Sequence, residues 1–196
     1  MITSSSLVIK RIFDFIFCIV LMPILFIPLL LLIIIATIDT RASGIFKQER
    51  VGQHGKIFDI YKIRTLKKEQ HKLGSLDKSA TKFGRFLRAS KLDELPQLFN
   101  VLFGDMSFVG PRPDIKGFAN KLEGEDRIVL DIKPGVTGPA TIKYRNEETI
   151  LALQDDPEKY NRTIIWKDKV EINKMYIKNW SFYLDLKYII KSVINK

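Results

Sequence analysis

FIFCIVLMPILFIPLLLLIIIATI, residues 15–38, runs for 24 residues without a charged side chain. A helix of that length covers the roughly 30 Å hydrocarbon core of a bilayer, so the segment is read as membrane-embedded. A cleaved secretory signal fits poorly, because the stretch is long and no small-residue cleavage site follows it. Pro23 and Pro28 lie inside it, and each removes a backbone donor. Lys10 and Arg11 precede it, while Arg41, Lys47 and Arg50 follow. Basic flanks tend to stay in the cytoplasm. A helix that enters, breaks near a proline and returns satisfies both observations. A tilted span with tolerated prolines is the other reading. Asp14 is expected at the interface, paired with Arg11 or with headgroups. Cys18 is expected to be a packing residue.

Outward from this segment the chain is far more polar. Its 196 residues are room for about one domain. A hydrophobic share of 46% argues against disorder, and a single cysteine excludes a disulfide scaffold. The net charge of +10 is not spread evenly. Residues 1–40 and 92–196 are each neutral, whereas residues 41–91 hold 14 basic against 4 acidic side chains. That block points to an anionic partner: lipid headgroups, nucleic acid or a phosphorylated substrate. A membrane segment beside the patch argues against nucleic acid.

IFKQERV and KIFDIYKIRT flank the turn GQHG, which predicts a β-hairpin within residues 44–65. Residues 66–78 read as a polar loop. Thr81 is placed to cap a basic amphipathic helix, TKFGRFLRAS, of the kind that lies on anionic lipid. A second helix is expected to begin around Leu92–Glu94, with Pro96 in its first turn and Gly104 as its stop. Asp93 and Glu94 then sit at a helix N-terminus, where the dipole favours carboxylates. In GDMSFVGPRP, prolines on both sides hold Arg112 in a fixed direction, which suits bidentate phosphate binding; a rigid loop with an incidental arginine is the other reading. KPGVTGPA reads as another loop. Ser181 is placed to cap a last helix whose Leu186, Ile189, Ile190 and Val193 form a face expected to be core, with an interfacial role open. The fold expected is α+β and mostly helical, with a membrane element at 1–40 and a small cytosolic body at 41–196.

Several chemistries are unsupported. No GxxxxGK[ST] loop and no GxSxG elbow occur, and two histidines with one cysteine do not make a typical zinc site. The remaining candidates are Asp93 and Glu94, set among Lys62, Arg64, Arg88 and Arg112. Adjacent acids are common on solvated helix starts. Beside several fixed cations, though, two carboxylates suit Mg²⁺ with a diphosphate. An aspartate can also attack phosphorus and form an acyl phosphate.

KRIFDF at residues 10–15, FKQERVGQHGKIFDIYKIRT at 46–65, GRFLRASKLDELPQLFNVLFGDMSFVGPRP at 84–113 and KPGVTG at 133–138 together resemble the bacterial sugar transferase family. The resemblance is to its small members, the monotopic phosphoglycosyl transferases, and runs along nearly the whole chain. It implies transfer of a sugar 1-phosphate from a UDP-sugar to polyprenol phosphate with release of UMP, at the cytoplasmic face of the bacterial inner membrane. It further implies that Asp93 is the nucleophile, that Asp93 and Glu94 hold Mg²⁺, and that Arg112 and Lys62 meet substrate phosphate. Arg145, after the KPG loop, is implied at the nucleotide. The membrane helix is implied to be re-entrant and broken at a proline, Pro28 being the nearer match.

The chain departs from the family pattern in places. Lys91 replaces the serine that often precedes LDEL, leaving Ser90 as a possible cap. PATIKYR stands where WAQVNGR is common, and Asn173 where an acidic residue is often found. The last two departures leave the sugar open. The competing function is a non-catalytic adaptor that binds anionic lipid through the basic block.

Overall fold

The computed structural model describes residues 2–67 and 79–194. The polar loop expected at 66–78 lies, beyond Lys67, outside them. Helix α1, Ser4–Thr40, is capped by Thr3, whose side chain accepts from the Ser6 amide. It is long and apolar enough to cross a membrane, with a mean hydropathy of 3.2 in its most apolar window. At 37 residues it is about 55 Å long, more than a perpendicular crossing needs. The expected break is absent as such: both prolines sit inside one uninterrupted helix. Each proline removes a single hydrogen bond, and a helix absorbs that by bending while its dihedrals stay helical.

Both halves of α1 are fastened to the same body. In the first half, Lys10 donates to Asp185 (2.6 Å), and Arg11 to the carbonyls of Val101 and Leu102 (2.6 and 2.8 Å). The Phe108 amide donates to Asp14 Oδ1 (3.0 Å), and Cys18 Sγ to the Leu98 carbonyl (3.2 Å). Asp14 is thus a buried acceptor for the body's backbone, not an interfacial group. In the second half, Leu29 and Ala36 pack with Ile63 and Leu87, and the Gly44 amide donates to Thr37 Oγ1 (3.0 Å). The opposite face of α1, including Ile24, Ile27 and Ile38, is exposed.

The hairpin forms where expected. Strand β1, Ile45–Val51, pairs antiparallel with β2, Ile57–Ile63, placing Phe46 opposite Lys62 and Gln48 opposite Ile60. Even-numbered residues share one face, so Gln48, Arg50 and Lys62 turn the same way. Helix α2, Lys82–Ser90, has Thr81 as its cap, accepting from the Gly84 amide. Leu87 is its buried anchor while Phe86 is exposed. Helix α3 is shorter than expected, Gln97–Phe103, and ends at Gly104 with φ of 90°. The residues before it, Leu92–Glu94, form a separate 3₁₀ turn. Ser90 does not cap that turn. Its hydroxyl donates back to the Phe86 carbonyl, and Lys91 takes a left-handed conformation between the two elements.

KPGVTGPA is not only a loop. Strand β3, Ser107–Val109, pairs parallel with β4, Gly135–Thr137. Glycine is required at this crossing, because a Cβ on Gly135 would lie 2.1 Å from the Gly110 nitrogen. Helices α4, Pro139–Lys143, and α5, Glu147–Ala152, follow. Then α6, Pro157–Tyr160, joins α7, Trp166–Lys178, through a π-helical turn at Asn161–Ile165. Helix α8, Phe182–Ile194, ends the described chain. Its apolar face is mostly not core. Leu186, Ile190 and Val193 are exposed, and the residue it buries is Asp185, which accepts from Lys10, Tyr176 and Trp180. The main core gathers Cys18, Leu98, Val101, Met106, Phe108 and Ile177.

Removing one partner of a buried ion pair strands the other charge, at a cost of about 3–5 kcal/mol. Lys10→Met should lower stability by that order in detergent-based chemical denaturation. Lys116→Met, which breaks the exposed pair with Glu49, should cost about 1 kcal/mol or less.

Candidate active site

Three segments meet at one carboxylate. Arg112 donates to Glu94 from both terminal nitrogens, Nη2 to Oε1 at 2.5 Å and Nη1 to Oε2 at 3.3 Å. Lys62, on β2, reaches Glu94 Oε1 at 3.2 Å. Burial alone would raise the Glu94 carboxyl, but Arg112 and Lys62 outweigh it and hold it well below the usual range. Glu94 in turn raises the Arg112 guanidinium, while burial lowers the Lys62 ammonium despite that carboxylate.

Asp93 is treated differently by the same turn. It is buried, its Oδ1 has no hydrogen-bond partner, and burial raises its carboxyl against the pull of Lys62. One member of the acid pair is therefore locked and ionised. The other has one unpartnered oxygen, and burial moves its carboxyl above its ordinary value.

All seven residues singled out from the sequence, Lys62, Arg64, Arg88, Asp93, Glu94, Arg112 and Arg145, line a single cavity of about 880 Å³. Their commitments differ. Arg64 donates through Nε to the Ser43 carbonyl (2.7 Å) and stacks over Phe46, so it fastens the hairpin to the exit of α1. Arg145 donates to the Ser192 carbonyl of α8 (3.2 Å). A second cavity of about 460 Å³ shares Arg88, Glu94, Arg112 and Arg145 with the first. It is also lined by Leu21 and Leu25 of α1 and by residues of α4 and α7.

Three contributors escaped the sequence reading. Arg50 turns into the polar cavity and donates to the Pro113 carbonyl (3.3 Å). Asp114, whose carboxyl burial raises, stands beside Lys169 and Arg50. Asn100 is fully buried and bonds the β2 backbone twice, accepting from the Tyr61 amide and donating to the Asp59 carbonyl. It thereby fixes Lys62 relative to the turn that carries Glu94. The alternation of β1, which puts Arg50 on the face of Gln48, was the available signal for Arg50. Asn100 gave none, because an amide in an apolar helix has no distinctive spacing.

The acid pair should titrate far apart. In carboxyl-labelled protein followed by carbon NMR, Asp93 should show a midpoint above the ordinary value of about 3.9, with Glu94 still ionised there. Lys62→Met should move the Asp93 midpoint higher, since it removes a cation that favours the carboxylate. An Asp93 midpoint at or below the ordinary value would contradict this account.

Comparison with known proteins gives a consistent relationship. The family model for bacterial sugar transferases matches residues 5–196. An uncharacterized sugar transferase of Bacillus subtilis is 36% identical over 95% of this chain and 86% of its own length. The UDP-glucose:undecaprenyl-phosphate glucose-1-phosphate transferase of Klebsiella pneumoniae is 38% identical over 97% of this chain, which spans 41% of that longer protein. A putative undecaprenyl-phosphate N-acetylgalactosaminyl 1-phosphate transferase of B. subtilis is 40% identical over 63% of this chain and 72% of its own. The hairpin, the acid pair and the PRP arginine all fall inside the matched span, and the chain belongs to the bacterial sugar transferase family.

Proposed function

We propose that this protein transfers a sugar 1-phosphate from a UDP-sugar to polyprenol phosphate, releasing UMP, through a covalent intermediate on Asp93. The observation that carries the reading is the unequal acid pair: Glu94 is locked by Arg112 and Lys62, while Asp93 presents an unpartnered buried oxygen beside the same cations. Asp93 attacks the sugar-bearing phosphorus. The bond from that phosphorus to the bridging oxygen breaks, and UMP leaves with its electron pair. A phosphate oxygen of the polyprenol phosphate then attacks the same phosphorus, the bond to Asp93 breaks, and the carboxylate is restored. The surrounding cations favour the Asp93 carboxylate against the effect of burial and stabilise charge on the equatorial oxygens.

The residues suit Mg²⁺, because Asp93 Oδ1 lacks a partner and such a site needs only one or two carboxylates besides substrate phosphates. Asp93 would hold it, and Glu94, the other expected ligand, would do so only by exchanging the Arg112 and Lys62 contacts that engage both its oxygens; the ion would neutralise phosphate charge. Lys62, Arg88 and Arg112 are assigned to the phosphates and Arg145 to the nucleotide, in the larger cavity.

The membrane element is read as re-entrant, with the body on the cytoplasmic face. Attachment of both halves of α1 to one body supports this, since a span would carry one end about 30 Å away. The exposed Phe86 of α2 and the exposed Leu186, Ile190 and Val193 of α8 suit helices lying on anionic lipid, with the basic block facing headgroups.

Purified protein with Mg²⁺, undecaprenyl phosphate and a panel of UDP-sugars should release UMP. Asp93→Asn should reduce release to below about a thousandth without unfolding the protein. Full activity in that variant would remove Asp93 from the nucleophile's role. Cysteines introduced at Ser5 and Ser43 should react with an impermeant reagent from the same side of spheroplast-derived vesicles. Labelling from opposite sides would refute the re-entrant topology.

A further inference from the structure

The lining of the smaller cavity is mixed. Leu21 and Leu25 of α1 supply apolar surface suited to a prenyl chain. Helices α4 and α7, which pack together, supply another wall. On α7, Trp166, Lys169 and Asn173 are spaced i, i+3 and i+7, so they share a face, and all three line the cavity with Thr141 of α4. Lys169 is paired with Glu147 at 2.6 Å. Two other polar atoms on this wall are buried with no partner: Asn173 Oδ1 and Thr141 Oγ1. Asn173 is 5% exposed. Buried polar atoms are almost always hydrogen-bonded, so two orphans on one cavity wall offer hydrogen bonds to whatever polar group fills it.

Thr141 and Asn173 lie 32 positions apart in the chain yet line one cavity with Glu94 and Arg112.

We propose that Asn173 and Thr141 form a subsite for an acylamino group on the transferred sugar. The inference deepens the transferase reading and rests on it. A carboxylate at position 173 would only accept hydrogen bonds, whereas a carboxamide both accepts and donates. It therefore satisfies both the N–H and the C=O of an acetamido group, with the Thr141 hydroxyl as a second partner. The Trp166 ring and Ala140 supply apolar surface on the same wall for the acyl methyl. Glu94 and Arg112 line the same cavity, so the subsite and the phosphate position share one space.

The test compares kcat/KM for UDP-N-acetylglucosamine with UDP-glucose, and for UDP-N-acetylgalactosamine with UDP-galactose, in the full chain and in Asn173→Leu and Thr141→Val. The unaltered chain should favour an acetamido sugar over its hydroxyl counterpart by about tenfold or more, because a site built to hydrogen-bond a group rejects analogues lacking it. Each variant should shrink that ratio by at least about fivefold. Thr141→Val preserves shape, so it reports even where Asn173→Leu fails to fold. A purely structural role would lower both sugars equally and leave the ratio intact, and that result overturns the subsite alone. So does a chain that turns over both sugar classes equally. No UMP release from any UDP-sugar would overturn the transferase reading, and the subsite with it.

Discussion

A carboxylate buried between an arginine and a lysine is the constraint on which the site depends. Glu94 comes from a 3₁₀ turn, Arg112 from the loop after β3 and Lys62 from β2, so the ion pair fixes three segments that otherwise share little. A largely buried ion pair does little for net stability, yet losing one partner is costly. Its value here is positional. With Glu94 locked, the neighbouring Asp93 is left with an uncommitted oxygen in a cation-lined cavity, and the two acids take different protonation behaviour from one turn.

The scaffold around that constraint is held by polar stitches between the membrane helix and the body. Lys10 to Asp185, Arg11 to the end of α3 and Asp14 to the Phe108 amide all tie the start of α1 to elements that carry the site. Phe108 lies on β3, whose exit delivers Arg112. The membrane helix therefore acts as part of the catalytic body's core as well as its anchor. Cys18 and Phe17 in the main core make the same point from the apolar side.

Much of this was legible in the sequence, for local reasons. The hairpin announced itself by two β-rich runs around GQHG, and Thr81 and Gly104 capped as their types require. The acids group with Lys62, Arg64, Arg88 and Arg112 by chemistry, Arg145 joins them through the family resemblance, and all line one cavity. What escaped was long-range. The parallel pairing of Ser107–Val109 with Gly135–Thr137 joins segments that look like loops in isolation. Asp14 was placed at the interface because no sequence pattern reveals an amide 94 residues away. The prolines suggest a break, yet both lie inside one continuous helix. The apolar face of α8 read as core, whereas its buried residue is the charged Asp185.

The central claim is that Asp93 carries the sugar phosphate between donor and acceptor. Intact-mass spectrometry after incubation with Mg²⁺ and an accepted UDP-sugar, with polyprenol phosphate omitted, tests it most directly. The account predicts a mass increase equal to one phosphosugar, mapped to the peptide containing Asp93 and discharged when polyprenol phosphate is added. Turnover with acceptor present but no adduct at any time in its absence would contradict it and indicate direct transfer.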